Sequence, residues 1–324
     1  MKGAFEIKVS RKRGTKYGFT IKRNITIIRG NSGSGKTTLY EMIADHMRYG
    51  DQSGVSIQCD RPCVALTDAD WRTQLAAFTN SIVFIDEGLK DIRTHDFAAS
   101  VRKSSNYFVI ITRADLPSLP YSVNEIYQIK TSGKFHSLIP LYTERENHRY
   151  SASKAHPKTD FNTLLTEDVK SGFQFYEYRF ANSSISCESA GSNANILNWL
   201  DNHPNATVFV AADGAAFGPF ADRVFKLQAT RPNAITICLP ESFEWLLLAS
   251  GIIKSVEAEA ILENPCDYIE SADYMSWEQF FTNLLKRQTK GTSFEYKKAE
   301  LADAYRIEQN ASKVMALIAC RNVK

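Results

Sequence analysis

The segment "GNSGSGKTT", residues 30–38, is the part of the chain whose residue types and spacing point most directly to chemistry. Glycine occupies its first and sixth positions and Lys36 and Thr37 follow, which is the pattern of a loop that wraps around phosphates. Glycine lets the backbone N–H groups turn inward, and a helix that begins beside Lys36 adds its positive end. The strand-like run "NITII" and the helix-like run "KTTLYEMIADHM" flank the loop. The pattern therefore predicts a nucleotide site.

Within this loop the ammonium of Lys36 is expected to bridge the β- and γ-phosphates, and the Thr37 hydroxyl is expected to contact Mg²⁺. The residues predicted to hold the nucleotide are Gly30, Asn31, Ser32, Gly33, Ser34, Gly35, Lys36, Thr37 and Thr38. The loop alone leaves open whether the phosphate is transferred, hydrolysed or only sensed. Other residues of the chain must decide between these outcomes.

Two carboxylates follow the apolar run of "SIVFIDEG", residues 81–88. Ligands collect at the carboxyl ends of strands in open α/β sheets, so Asp86 is predicted to hold Mg²⁺ through water. Glu87 is placed to polarise an attacking water, which is general-base chemistry and suits a hydrolase better than a phosphotransferase. The alternative is that two acids merely end a strand at a solvated edge.

A further strand-like run, "YFVIITRADL", residues 107–116, ends its apolar stretch at Thr112 and Arg113. A polar residue at this place faces the γ-phosphate in hydrolases of this kind. Arg113 is therefore a candidate catalytic residue together with Lys36 and Glu87. A small-molecule kinase would also need an arginine-rich lid and an acceptor pocket, and the sequence shows neither.

Strand-like and helix-like segments alternate along the chain and must position these residues. Alternation of this kind predicts an α/β fold with a mostly parallel sheet, here preceded by an N-terminal β-hairpin. We predict a nucleotide-binding domain over residues 1–145, a polar linker over 146–180, a second and smaller α/β domain over 181–265, and a C-terminal helical extension over 266–324.

The composition is that of an ordinary globular protein, since 44% of the 324 residues are hydrophobic and 23% are charged. The net charge of +3 gives no global basic field of the kind that announces nucleic acid. The six cysteines are scattered and are expected to be reduced. No apolar run approaches the length of a membrane span or a signal core, so the expectation is a soluble, cytoplasmic protein with no membrane partner.

In the second predicted domain, three consecutive strand-like runs end on an acidic residue. Glu188 ends "SISCES", Asp213 ends "TVFVAAD" and Glu241 ends "ITICLPE". If the strands are parallel, the three carboxylates reach the same edge of one sheet. Acidic clusters of that kind bind Mg²⁺ for phosphodiester chemistry, so these residues are candidate metal ligands. The alternative is an accessory domain whose strands happen to end in acids.

Residues 4–143 resemble the ABC-type ATPases. The resemblance is carried by the hairpin before "GNSGSGKTTL", the "FIDE" strand, "IITRADL" in place of that family's switch strand, and the closing hairpin "EIYQIKTSGKF". It implies that ATP is the nucleotide and that Lys36, Thr37, Asp86 and Glu87 have their usual roles. Arg113 stands where the family's switch histidine is expected, and the Leu-Ser-Gly-Gly-Gln signature is not found. A second copy or a partner protein is therefore expected to complete the nucleotide site. The alternative is that Arg113 acts as a γ-phosphate sensor within one subunit.

Residues 183–250 resemble a Toprim domain, in which a Glu follows the first strand and an Asp-x-Asp follows a later one. Glu188 corresponds to the Glu and Asp213 to the first Asp, whereas Ala215 replaces the second. An ABC-like ATPase followed by a Toprim-like domain is the layout of OLD-type nucleases, which act in DNA processing and phage defence. The resemblance implies an ATPase that controls a domain acting on or binding nucleic acid. The alternative is an ATP-dependent sensor or assembly subunit whose second domain is a catalytically inactive binding module.

Overall fold

The computed structural model describes residues 1–67, 69–142 and 161–318 of the chain. It divides into two compact units, one formed by Met1–Leu141 with Asn264–Met275 and the other by Tyr142–Glu263 with Ser276–Lys324. The first unit contains a large mixed sheet and the second a smaller parallel sheet. The predicted α/β class is confirmed at this level. Among the described residues, no helix is both long enough and apolar enough to span a membrane.

The first unit is built on a sheet with the strand order β4-β1-β2-β9-β8-β3-β7-β6-β5. These strands are β1 Phe5–Arg11, β2 Lys16–Ile21, β3 Ile25–Arg29, β4 Val55–Gln58, β5 Cys63–Leu66, β6 Ile82–Ile85, β7 Tyr107–Ile111, β8 Ile126–Ser132 and β9 Phe135–Pro140. The β1–β2 hairpin and the closing β8–β9 hairpin are antiparallel, as predicted. Strands β8, β3, β7, β6 and β5 run parallel to one another.

The parallel strands form the interior of this unit. All residues of β3, β6 and β7 are buried, which explains why their sequences read as continuous apolar runs. Three helices cover the sheet: α1 Lys36–Tyr49, α2 Trp71–Ala77 and α3 His95–Arg102. Helix α1 buries Leu39, Met42 and Ile43 against the core. Because α1 starts directly after the glycine-rich loop, this packing fixes the position of Lys36.

The second unit has a parallel sheet with the order β11-β10-β12-β13. Its strands are β10 Thr163–Thr166, β11 Ser186–Ser189, β12 Val208–Ala211 and β13 Ile235–Cys238. The helices of this unit are α4 Ser171–Phe180, α5 Ile196–Asn202, α6 Gly218–Thr230, α7 Phe243–Ala249, α8 Val256–Glu263, α9 Trp277–Thr289 and α10 Glu308–Met315. Strands β10, β12 and β13 are fully buried, while the edge strand β11 is partly exposed.

The observed units differ from the predicted domain boundaries in two places. The predicted linker, 146–180, contains the interior strand β10 and the helix α4, and its residues 146–160 lie outside the described residues. The predicted helical extension, 266–324, is also divided, because Asn264–Met275 clusters with the first unit. A four-residue strand beside a long polar stretch has too little periodicity to be recognised, which is why β10 was missed.

Candidate functional sites

The glycine-rich loop leaves the end of β3 and enters α1 with backbone angles that glycine adopts most easily. Gly35 has φ 90°, and a Cβ at this position would lie 2.8 Å from the Tyr17 hydroxyl oxygen. That hydroxyl donates a hydrogen bond to the Gly35 carbonyl at 2.8 Å. The ring of Tyr17 also stacks on His136, with centroids 4.6 Å apart. The loop is thus held closely against the β2 and β9 strands.

Lys36 is folded back over the loop and is 6% exposed. Its ammonium donates to the carbonyls of Gly30 at 2.8 Å and Asn31 at 2.7 Å, and to the Ser34 hydroxyl at 3.1 Å. Burial and the positive charge of Arg113 lower the pKa of Lys36, while Glu87 and Asp86 act in the opposite direction. The side chain is therefore positioned by acceptors of the same loop that is predicted to hold phosphates.

One cavity of about 180 Å³ collects side chains from three separated parts of the first unit. It is lined by Ser32, Gly33, Gly35, Lys36, Thr37, Thr38, Asp86, Glu87, Ile111 and Arg113. The carboxylates follow β6 and the arginine follows β7, so two neighbouring parallel strands deliver them to one edge. The structure thus brings Lys36, Thr37, Asp86, Glu87 and Arg113 together. Gly30, Asn31 and Ser34 do not line this cavity, but they contact Lys36.

Two charged side chains face each other at the mouth of this cavity. The Arg113 Nε lies 3.5 Å from Glu87 Oε1, and both side chains are about half exposed. An exposed ion pair of this kind contributes little to stability, so breaking it to turn either side chain toward a ligand costs little free energy.

A buried network at the base of the loop was not anticipated from the sequence. The Arg29 guanidinium donates to Asp115 Oδ1 at 2.8 Å and to the Tyr121 hydroxyl at 3.1 Å. Arg29 precedes the glycine-rich loop and Asp115 follows Arg113, so the network ties the two segments together. Burial raises the pKa of Tyr121 to about 12, which keeps its hydroxyl protonated. The sequence did offer a signal for this network, because Arg29 is a charged residue at the end of a continuous apolar strand.

In the second unit, the three predicted metal ligands do not come together. Strand β10 lies between β11 and β12, which separates Glu188 from Asp213. Glu188 instead accepts a hydrogen bond from the Trp199 indole at 3.2 Å. Glu241 is buried, but it is not among the residues that line the cavity around Asp213. The predicted convergence of Glu188, Asp213 and Glu241 is therefore wrong, because the interior strand β10 was not foreseen.

The residue that does lie beside Asp213 is Glu167, which directly follows β10. Thr166 pairs with Ala211 in the parallel register, so both strands end at the same level. The Asp213 backbone N–H donates to Glu167 Oε2 at 3.3 Å, and Asp213 Oδ1 accepts from the Phe243 N–H at 3.0 Å. The sequence does contain a signal for Glu167, since this acidic residue directly follows the short run "TLLT". The signal was missed because the whole run was assigned to the predicted linker.

Glu167 and Asp213 line a small cavity of about 40 Å³ together with Glu244 and Lys298. Burial and the charge of Glu278 raise the pKa of Glu167 to about 7. Burial also raises the pKa of Asp213 well above its usual value, and the charge of Glu167 adds to this effect. Burial lowers the pKa of Lys298, but the charges of Glu244, Glu278 and Asp213 outweigh it and raise the value overall. The cavity is acidic and contains a protonated lysine.

No three His, Cys, Asp or Glu side chains within residues 1–67, 69–142 and 161–318 are placed so that they could hold a metal ion. Oxygen donors of the type that Mg²⁺ prefers are present around Asp213. As they lie, however, they do not form a metal-binding set. The ammonium of Lys298 supplies positive charge in their midst.

The raised pKa of Glu167 predicts a stability effect. Its pKa is about 7 in the folded chain and ordinarily 4.5, so between these pH values the folded state binds more protons than the unfolded state. The free energy of unfolding of the second unit should therefore fall as pH rises through this window. We expect Glu167→Gln to reduce this fall in the free energy of unfolding. The difference in stability between variant and wild type should therefore shift in favour of the variant on going from about pH 5 to about pH 8.

This effect can be measured by urea unfolding at several pH values in buffer that contains a chelator. Glu177→Gln is the matched control, because Glu177 is an exposed carboxylate on α4, the helix that follows Glu167 in the chain. The slope is expected to be reduced rather than abolished, since Asp213 keeps its own raised pKa. Identical pH profiles for wild type and Glu167→Gln would contradict the prediction.

Comparisons with known proteins give no relative for this chain. No family model matches the sequence, no curated protein matches it, and no solved structure matches its fold. What the molecule does must therefore be inferred from its own side chains.

Proposed function

We propose that the first unit binds ATP together with Mg²⁺ and hydrolyses it. The observation that carries this proposal is the single cavity that contains Lys36, Thr37, Asp86, Glu87 and Arg113. These residues come from three segments that are far apart in the sequence, and each is of the type that ATP hydrolysis needs at that place. A loop without catalytic partners would support binding only.

The residues of this cavity fit a magnesium nucleotide in their chemistry. Lys36 already forms hydrogen bonds with three oxygen acceptors of the loop, so its ammonium can exchange them for phosphate oxygens. The Thr37 hydroxyl and the Asp86 carboxylate supply oxygen donors in the same cavity, and they would hold Mg²⁺. When bound, the ion neutralises the charge that develops on the phosphates.

Hydrolysis, rather than transfer to another acceptor, is supported by Glu87. Its carboxylate lines the cavity beside Lys36 and is exposed enough to reach a water molecule. It would accept the proton of the attacking water as the bond to the phosphate forms. Arg113, which lies next to Glu87, would face the γ-phosphate and stabilise its charge.

The proposal is tested by incubating the purified chain with ATP and Mg²⁺ and measuring released phosphate. Free phosphate in proportion to ADP is the expected result. ADP formation with the phosphate transferred to an added acceptor would instead indicate a kinase. No binding of ATP in equilibrium dialysis would overturn the proposal altogether.

For the second unit, we propose that it binds or acts on nucleic acid under the control of the ATPase, as in an enzyme of DNA processing or phage defence. The supporting observation is the pair of neighbouring acidic residues, Glu167 and Asp213, at the carboxyl edge of a parallel sheet. Because no three acidic side chains there are placed to hold a metal, no reaction step is assigned to an ion. Loss of nicking of DNA or RNA in Asp213→Asn, with ATPase activity retained, is the expected result. Absence of nicking on every substrate would remove the nuclease part.

A second candidate function is an ATP-dependent sensor or assembly subunit. It is favoured by Ala215, which stands where a second metal-binding Asp is expected and is buried. In that case the second unit binds a partner without chemistry, and a second copy or another protein completes the nucleotide site. Analytical ultracentrifugation with and without a non-hydrolysable ATP analogue tests this candidate. A sensor or assembly subunit should change the mass of its complex when the analogue binds.

A further inference from the structure

The link between β4 and β5 places two cysteines between the edges of the first sheet. The strand order puts β4 and β5 at opposite ends of the nine-stranded sheet. Only residues 59–62 separate Gln58, the last residue of β4, from Cys63, the first residue of β5. A chain of this length spans at most about 18 Å, so the sheet curves and its two edges approach each other at this link. Cys59 and Cys63 thus lie at the two ends of a short bridge between sheet edges.

Both ends of this link are held by the neighbouring strands. Gln58 pairs with Lys8 of β1 in the antiparallel register, and the Pro62 carbonyl accepts a hydrogen bond from the Ile82 N–H of β6 at 2.8 Å. The two cysteine side chains are half-buried and pack against the apolar core of the first unit. Residues 60–62, which lie between them, are exposed. A small molecule in solution can therefore reach two sulfur atoms whose backbone positions are already set.

The two thiols contact each other and differ in character. The Cys63 S–H donates a hydrogen bond to the Cys59 sulfur, which also accepts from the backbone N–H groups of Arg61 and Asp60. The hydrogen bond from Cys63, with help from the backbone, lowers the pKa of Cys59 to about 7, although burial and the charge of Asp60 oppose it. The same hydrogen bond and burial raise the pKa of Cys63. Cys59 is therefore the nucleophile of the pair, and Cys63 is the protonated thiol beside it.

From these contacts we propose that Cys59 and Cys63 are a redox-active pair, which a low-molecular-weight disulfide such as oxidised glutathione converts into an intramolecular disulfide. The Cys59 thiolate attacks one sulfur of the reagent, so that a mixed disulfide forms and one thiolate of the reagent leaves. Cys63 then loses its proton and attacks the Cys59 sulfur, which breaks the mixed disulfide and releases the second thiolate. The pair loses two electrons, the reagent gains them as two molecules of its thiol form, and the Cys63 proton passes to a released thiolate.

The disulfide would join the two strands that hold the helix of the glycine-rich loop. The His46 Nδ1 of α1 lies 2.9 Å from the Val55 carbonyl oxygen of β4. On the other side, the Tyr40 hydroxyl of α1 donates to the Leu66 carbonyl of β5 at 2.9 Å. A covalent bond across the link removes conformations from the unfolded chain, so oxidation should stabilise the part of the first unit that surrounds α1. This inference does not depend on the binding or hydrolysis of ATP.

The first experiment detects the disulfide in the unmodified full chain. The purified protein is incubated with oxidised glutathione, the remaining thiols are alkylated, and the tryptic peptides are weighed without reduction. We expect the peptide that contains Cys59 and Cys63 to be lighter by two hydrogen atoms and to carry no alkyl group, and dithiothreitol should reverse this change. Cys187 is the internal control, because it is also half-buried, and it should remain alkylated. Alkylation of both Cys59 and Cys63 after the treatment would overturn the inference.

Single variants separate the roles of the two cysteines. Cys63→Ser keeps a hydroxyl that can donate to the Cys59 sulfur, so it should stop at the mixed disulfide of Cys59 with glutathione. In Cys59→Ser the remaining thiol has lost its nucleophilic neighbour, and Cys63 should react on the order of tenfold more slowly or less. Cys187→Ser is the matched control and should form the disulfide as wild type does. A faster reaction of Cys63 than of Cys59 would contradict the assignment of the nucleophile.

The expected stabilisation is measured by urea unfolding of the oxidised and the reduced chain. Oxidised wild type should unfold at a higher urea concentration than reduced wild type, whereas the same treatment should not raise the midpoint of Cys59→Ser. An unchanged or lower midpoint for oxidised wild type would show that the disulfide does not fit the link as it lies in the fold. None of these measurements uses ATP, so failure of the nucleotide proposal is recorded separately.

Discussion

Replacing Lys36 with alanine is expected to lower the rate of ATP hydrolysis on the order of 100-fold or more and to weaken ATP binding. The ammonium is the only cation of the glycine-rich loop, residues 30–38, and it lies in the cavity with Asp86 and Glu87. Its removal leaves the developing charge on the phosphates without its nearest compensation. Phosphate release and equilibrium ATP binding should both be measured, since the lysine is expected to contribute to both.

Folding of the Lys36→Ala variant needs its own measurement. The substitution also removes hydrogen bonds to the carbonyls of Gly30 and Asn31, so the loop itself is expected to lose some stability. Thermal unfolding and circular dichroism separate that effect from lost catalysis. Lys8→Ala is a suitable control, because Lys8 is exposed and pairs with the exposed Glu6. A folded Lys36→Ala variant with wild-type turnover would refute the proposed role of the loop as a nucleotide site.

Replacing Glu87 with glutamine is expected to produce a different defect. The amide keeps the size of the side chain but cannot accept a proton, so hydrolysis should fall roughly 100-fold to 10,000-fold while ATP still binds. The variant also loses the ion pair between Glu87 and Arg113. Because both side chains are about half exposed, this pair contributes little to the stability of the fold. Single-turnover phosphate release with radiolabelled ATP measures the chemical step directly.

The control for this variant is Glu41→Gln, which removes an exposed carboxylate from α1. It should leave both binding and hydrolysis unchanged. Hydrolysis at the wild-type rate in Glu87→Gln would show that Glu87 is not the general base. Loss of ATP binding, with hydrolysis of the bound fraction unaffected, would instead assign Glu87 to nucleotide positioning.

The two variants together distinguish binding from chemistry. Lys36→Ala should impair both, whereas Glu87→Gln should trap the chain with ATP bound. A trapped ATP state is also the form in which assembly with a second copy or a partner is most easily detected. The sensor and enzyme alternatives can therefore be compared on the same protein samples.

The elements of the first unit were largely predictable from local patterns. Continuous apolar runs predicted the strands β3, β6 and β7, and the structure buries every residue of all three. The closing hairpin "EIYQIKTSGKF" was also foreseen. These features depend on neighbours in the sequence, because strand propensity and turn chemistry act over a few residues.

The second unit was harder to predict, and the reason lies in one strand. Strand β10 has only four residues, Thr163–Thr166, and it lies next to a long polar stretch. Periodicity over four residues cannot separate a buried strand from a loop. With β10 unrecognised, Glu188 was assigned to the first strand of the sheet and Glu167 was assigned to a linker. The error in one element thus moved the candidate site to the wrong carboxylates.

By itself, the sequence was enough to identify the glycine-rich loop, the acids Asp86 and Glu87, and Arg113 as candidate site residues. It could do so because backbone freedom of glycine and strand-end carboxylates have local signatures. Only the tertiary structure decided which of these side chains share a cavity, and that Glu167, Glu244 and Lys298 surround Asp213. The order of strands in a sheet sets these neighbours, and that order depends on packing between segments that are distant in the chain.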